Sequence, residues 1–127
     1  MGSDIAEFQL GFMYHFANGV NKDYFTAFLW YLKAARQFNK DAWFRIAQMF
    51  DHGDGVFRNQ YKALEWFYRC NKNSAQVIAF ERRGFHLTKH DKKRSIYQLI
   101  EETEDIVNAE MVKDRERQNK LLQDGNQ

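Results

Sequence analysis

A segment of about 36 residues occurs twice in the first half of the sequence, and this repeat constrains the fold more than any other feature. Gly19 and Gly55 are 36 residues apart (55 − 19 = 36). The same offset aligns Ala6 with Ala42, Phe8 with Phe44, Leu10 with Ile46, Met13 with Met49, Tyr14 with Phe50, Val20 with Val56, Ala27 with Ala63, Trp30 with Trp66 and Tyr31 with Phe67. A period of roughly 20 to 50 residues is typical of proteins whose units bury their apolar faces only against neighbouring units.

The pattern inside each unit is helical. Proline is absent, and apolar residues recur at helical spacing in four segments: Ile5 to Phe16, Asp23 to Gln37, Asp41 to Asp51, and Gln60 to Cys70. Residues 74–87 predict another helix, and Ser95 with Gln98 forms a capping box at the start of a last one. We therefore predict an all-α fold of antiparallel helix pairs, in which Trp30 and Trp66 are buried between the pairs.

These patterns divide the chain into four parts. Residues 1–3, Met-Gly-Ser, resemble a cloning remnant, and residues 4–94 form the helical repeats, with copies at 6–37 and 42–72 and a degenerate unit at 75–94. Residues 95–127 predict a long C-terminal helix that is polar after residue 112 and either projects into solvent or frays there. Its acidic run, residues 101–105, is expected to be a solvated face, with pairing to the basic repeats or to a basic partner as the alternatives.

The first copy resembles the Sel-one-like repeat (SLR) family, a subfamily of the tetratricopeptide-like (TPR-like) helical hairpins. The residues that carry this resemblance are Ala6, Leu10, Gly11, Tyr14, Gly19, Val20, Asp23, Ala27, Trp30, Tyr31, Lys33, Ala34 and Ala35, and in the second copy Ala42, Phe50, Gly53, Gly55, Val56, Ala63, Trp66 and Phe67. It extends over residues 6 to about 72. The resemblance implies a right-handed α-solenoid and a scaffold or adaptor that binds other proteins.

A partner is expected on the face lined by the first helix of each pair. The positions there that the fold does not require are Phe12, His15, Phe16, Trp43, Gln48 and His52. A second hypothesis is a self-associating module, which would use the open N-terminal repeat edge or the apolar stripe of the C-terminal helix.

A third hypothesis is an enzyme, because some secreted proteins of the family are hydrolases of cell-wall or β-lactam compounds. Those hydrolases are cysteine-rich, whereas this chain has only Cys70, which excludes an internal disulfide and favours an intracellular, cytoplasmic location. The net charge of +2 and the absence of a long apolar run argue against nucleic acid and a membrane span.

Two short motifs invite a chemical interpretation. The glycine-rich turn at residues 52–56 resembles a phosphate loop, but it lacks the continuation that such a loop requires and recurs as a turn between helices. His86 and His90 have the spacing of metal ligands on a helix, but the helix is expected to have ended before His90. We therefore predict no catalytic residue, no cofactor and no metal site.

Overall fold

The computed structural model describes residues 3–125, which form seven α-helices and no strand. The helices are α1 (Asp4–Phe16), α2 (Tyr24–Arg36), α3 (Lys40–His52), α4 (Gln60–Cys70), α5 (Ala75–Arg82), α6 (Lys89–Lys93) and α7 (Ile96–Gly125). The predicted all-α class is thus confirmed. Of the predicted cloning remnant only Ser3 lies in the described part, and residues 126 and 127 of the predicted last helix lie outside it.

The two repeats form two helix pairs, α1 with α2 and α3 with α4, and the same local signals produce both. Asp23 accepts a hydrogen bond from the backbone N–H of Thr26 at 3.1 Å, and Asn59 accepts one from that of Lys62 at 3.1 Å. Each side chain caps the second helix of its pair. The first helix of the first pair ends at Ala17, which adopts the left-handed conformation (φ 54°) although it is not glycine.

The core lies where the two pairs meet. Its largest fully buried side chains include Trp66, Tyr31, Phe28, Phe50, Ile46, Met49 and Leu64. The predicted burial of Trp66 is confirmed. The prediction for Trp30 is wrong, since its ring is only half-buried. The two rings differ in what packs on them. Helix α7 contacts Trp66, whereas the ammonium of Lys33 lies 4.5 Å from the ring of Trp30 and remains in contact with water.

The helix α7 packs along α2 and α4, the second helices of the two pairs. The indole N–H of Trp66 donates to the hydroxyl of Thr103 at 3.1 Å. The ammonium of Lys62 lies 2.7 Å from the carboxylate of Glu102, and Arg36 pairs with Glu104. Part of the acidic run 101–105 is therefore bound to the repeats, and the prediction of a solvated face is wrong for its two paired glutamates.

The two ends of α7 differ in their environment. Ser95 and Gln98 exchange hydrogen bonds between side chain and backbone at 3.2 and 3.0 Å, as the capping-box prediction required. From Met111 to Gly125 every residue is exposed, but the segment stays helical, so the predicted fraying is not seen. The described residues contain no helix with the length and apolarity needed to span a membrane.

Candidate interaction surface

Side chains from α1 and α3 meet on one face of the molecule, which we call the α1–α3 surface: Phe12, Phe16, Arg45 and Gln48. The rings of Phe12 and Phe16 lie 4.5 Å apart, centroid to centroid. The guanidinium carbon of Arg45 lies 5.6 Å from the first ring and 5.2 Å from the second. Its Nη1 donates a hydrogen bond to Oε1 of Gln48 at 3.2 Å.

Helical spacing explains why these four side chains converge. Phe12 and Phe16 are four residues apart on α1, and Arg45 and Gln48 are three apart on α3, so each pair lies on one face of its helix. Phe16 is 46% exposed, while the other three are half-buried. The result is a surface with an exposed aromatic edge and a cation held beside it.

His15 was expected to contact a partner, but the structure places it inside the fold. Its side chain is buried, and Nδ1 lies 3.1 Å from the hydroxyl of Tyr31, within hydrogen-bonding distance. Its ring stacks on that of Phe16, with 4.3 Å between centroids. Burial lowers the pKa of His15, and the charge of Arg45 lowers it further. His15 therefore supports the surface from below and is not itself available for contact.

Trp43 was also expected to contact a partner, but its side chain is almost fully buried. Its indole N–H donates to the carbonyl oxygen of Ala35 at 3.1 Å, and its ring lies 5.6 Å from that of Phe38. The turn between α2 and α3 is short, so the first turn of α3 packs against the end of α2. The side chain at this position therefore fills a space between the repeats.

Of the six predicted residues, the structure thus brings three together: Phe12, Phe16 and Gln48. His52 is exposed at the end of α3, where its Nδ1 lies 3.7 Å from the carboxylate of Asp54. Arg45 completes the surface, but sequence reasoning missed it. The offset of 36 aligns it with Gln9, so no repeat signal marks the position.

Cys70, His86 and His90 are the remaining candidates for a nucleophile or for metal ligands. Burial raises the pKa of the Cys70 thiol to about 12, so it is protonated at neutral pH and a poor nucleophile. His86 lies in the loop before α6 and His90 lies in the first turn of α6, so the two do not share a helical face. No group of three or more His, Cys, Asp or Glu residues within 3–125 is placed to hold a metal ion.

A separate open groove of about 560 Å³ lies between α7 and the turn that joins α3 to α4. Its apolar lining includes Phe25, Val56, Phe57 and Met111. On the α7 side, the carboxylate of Glu110 accepts a hydrogen bond from the backbone N–H of Phe57 at 3.1 Å, and burial raises the pKa of Glu110. The groove therefore adjoins a contact that holds α7 against the second repeat.

Comparisons with known proteins identify two family repeats in the chain. The family model of the Sel1 repeat matches residues 4–37 and 41–69, which correspond to the two helix pairs. The chain is also similar to the crystal structure of a Sel1 repeat protein from Oxalobacter formigenes, with 26% sequence identity and a TM-score of 0.58. That match covers 79% of this chain and 43% of the other, so this chain spans less than half the length of that protein. No curated protein matches the sequence.

Proposed function

The chain belongs to the Sel1-like repeat family, and we propose that it is an adaptor or scaffold that binds a partner protein or peptide on the α1–α3 surface. Sel1 repeats are generally protein-interaction modules. The observation that carries the proposal for this chain is the pair Phe16 and Arg45. The ring of Phe16 is exposed, and Arg45 has no acidic partner among the described residues. Aromatic residues and arginine are both enriched at the centres of interfaces.

A capture experiment with a matched control tests this surface. The immobilised full chain, a Phe16→Ser variant and a Leu29→Ser variant are each exposed to a cell extract, and the retained proteins are identified by mass spectrometry. Leu29 is a suitable control because it is also an exposed apolar residue, but on α2. We expect the same proteins on the parent and the control and their loss on Phe16→Ser. Equal retention by all three would contradict the proposal.

We propose further that the chain has no catalytic activity of its own. The Sel1 repeat family is typically a non-catalytic scaffold. The pKa of the Cys70 thiol is raised to about 12, so this thiol does not support the hydrolase hypothesis as a nucleophile. The intracellular location stays a prediction that rests on the single cysteine.

Self-association is a second candidate function, and one observation favours it. Ala42, Ile46 and Met49 on α3 are fully buried, and α3 packs against α2 of the preceding pair. The equivalent residues on α1 are Ala6, which is exposed, and Leu10 and Met13, which are half-buried. This N-terminal edge thus has the residues of a repeat interface without a neighbour among the described residues, and a second copy could supply that neighbour.

Most of the apolar stripe of α7 is not available for self-association. The stripe that was expected to cover a neighbouring molecule begins with Ile96, Leu99, Ile100 and Val107, and these side chains are buried within their own chain. Met111, the last residue of the stripe, is exposed.

Analytical ultracentrifugation of two variants, in each of which an alanine is replaced by arginine, tests whether the N-terminal edge mediates self-association. Ala6→Arg places a large charge on it, whereas Ala79→Arg places the same charge on an exposed position of α5. If the edge mediates dimers, the parent and Ala79→Arg sediment as dimers at high micromolar concentration and Ala6→Arg sediments as a monomer. A monomeric parent would exclude self-association under these conditions.

A further inference from the structure

We infer that the α1–α3 surface recognises an acidic side chain of its partner through Arg45, an inference that rests on the proposed function. The ligand is a segment of protein with an aspartate or glutamate next to an apolar residue. The carboxylate would contact the guanidinium, and the apolar neighbour would contact the exposed edge of Phe16.

The first argument is that Arg45 forms no ion pair among residues 3–125. By contrast, Arg36 pairs with Glu104, and Arg94 lies 3.7 Å from both Glu65 and Asp91. The described partner of Arg45 is the neutral amide of Gln48, which accepts one hydrogen bond. A guanidinium has several N–H donors in a planar fork whose geometry matches a carboxylate. The N–H groups of Arg45 that do not bond Gln48 could therefore donate to the two oxygens of a ligand carboxylate.

The second argument is that the guanidinium is already held in place. It lies against two aromatic rings, at 5.6 and 5.2 Å from the centroids of Phe12 and Phe16, and Gln48 fixes one of its nitrogens. Contacts of a cation with the faces of rings are attractive and leave the edge of the guanidinium accessible. An arginine that is ordered before binding loses less side-chain entropy when a ligand arrives, so the contact contributes more to affinity.

The third argument is the charge of the surroundings. The positive charges of Arg45 and Lys22 both act on the buried His15 in the direction that lowers its pKa. Asp54 acts in the opposite direction, and it already lies 3.7 Å from the ring of His52. Cations thus outnumber the carboxylate around this site, and such a surface attracts an acidic segment and disfavours a basic one.

A selection of random peptides displayed on phage tests the inference, because it requires only the chain itself and not its partner. The immobilised full chain, R45Q, R45E and R83Q serve as targets. R83Q is the matched control, because Arg83 also lies on two rings, at 4.6 Å from Phe80 and 5.3 Å from Phe85, but at the end of α5. Thermal melts of all four targets confirm that the variants are folded.

We expect peptides enriched in Asp or Glu beside an apolar residue on the parent and on R83Q. R45Q should lose this enrichment, and R45E should select Lys or Arg at the same position. For one selected synthetic peptide, replacing its acidic residue by the matching amide should weaken binding to the parent roughly 10- to 100-fold, the effect of losing a hydrogen-bonded charge pair. The same replacement should change little for R45Q.

The outcomes separate this inference from the proposal on which it rests. Peptides that bind the parent and lose binding with Phe16→Ser, but show no acidic preference, would overturn the role of Arg45 and leave the interaction surface intact. Binding that depends only on the free C-terminal carboxylate, as judged with amidated peptides, would also overturn it. Peptides whose binding is indifferent to both Phe16→Ser and R45Q would overturn both proposals.

Discussion

The two Sel1 repeats contain similar residues, but the structure buries them to different extents. Met49 is fully buried in the second repeat, whereas Met13 at the same position of the first is half-buried. Trp66 is fully buried, and Trp30 is not. The second repeat has the first repeat on one side and α5 on the other, while α7 packs along α2 and α4. Burial in this molecule is thus set by the number of neighbours that a repeat has, as expected for a one-dimensional stack.

This difference has a functional consequence. Residues packed on both sides contribute most to stability and are not accessible to a partner. One side of the first repeat has no neighbour among residues 3–125, and this repeat presents the rings of Phe12 and Phe16, against which α3 contributes Arg45. We therefore expect the repeat that contributes less to stability to supply the aromatic half of the proposed interaction surface, while the second repeat supplies Arg45 and Gln48.

The largest expected difference between the repeats lies in their tryptophans. Trp66→Ala removes a fully buried indole and its hydrogen bond to Thr103, and we expect a loss of about 3–5 kcal/mol in the free energy of unfolding. Trp30→Ala should cost only about 1–2 kcal/mol, since the ring is only partly buried. Urea titrations of both variants measure this, and equal costs would break the comparison.

The methionines provide the second test, because they occupy the same position in the two repeats and are buried to different extents. Met49→Ala should cost about 2–5 kcal/mol because it leaves a cavity in the core. Met13→Ala should cost about 1 kcal/mol, because part of the side chain already contacts water. Denaturation midpoints with unchanged slopes give the two values. A larger loss for Met13→Ala would mean that something covers the N-terminal edge.

The turn glycines give a third matched pair. Gly19 and Gly55 both have positive φ, at 81° and 75°, so an alanine at either position should cost about 1–2 kcal/mol of backbone strain. At position 55 the new Cβ would also come within 2.7 Å of the Tyr24 backbone, whereas at position 19 it meets only Met13 at 4.0 Å. We expect Gly55→Ala to lose about 1–3 kcal/mol more than Gly19→Ala, as measured by thermal unfolding. Similar melting temperatures would contradict this.

The smallest expected effect is a pH dependence that belongs to the first repeat alone, since the equivalent of His15 in the second is Asp51. The pKa of His15 is lowered in the folded chain from its ordinary 6.5, so the unfolded chain binds more protons just below that pH. Stability from this group is complete above pH 6.5 and falls as the pH is lowered toward the folded pKa. The difference in unfolding free energy between the parent and His15→Gln should therefore shrink as the pH falls from about 7.5 to about 5. A constant difference would contradict the burial of a neutral ring.

The helix pairs could be predicted from sequence because their signals are local and occur twice. The caps Asp23 and Asn59 and the turn residues Gly19 and Gly55 recur at one offset, so each copy supports the other. The position of α7 over α2 and α4 carried no such signal. Its apolar stripe identified a buried face, but a stripe does not identify the surface that it meets.

The candidate site was only partly predictable for the same reason. Phe12 and Phe16 stood out as aromatic residues that the repeat does not require. Trp43 and Arg45 align with Glu7 and Gln9 in the first copy, so the repeat gave no information about either. Whether such a side chain fills a gap, as Trp43 does, or lies on the surface, as Arg45 does, is decided by packing between helices that are not neighbours in the pattern.

The most direct test of the central claim, that neighbours on both sides make the second repeat the stable part of the molecule, is native-state hydrogen exchange at low micromolar concentration. The backbone amides around Met49 in α3 should exchange only when the whole domain unfolds, and those around Met13 in α1 should exchange at least about 10-fold faster through local opening. Equal protection of α1 and α3 at every concentration tested would contradict the account.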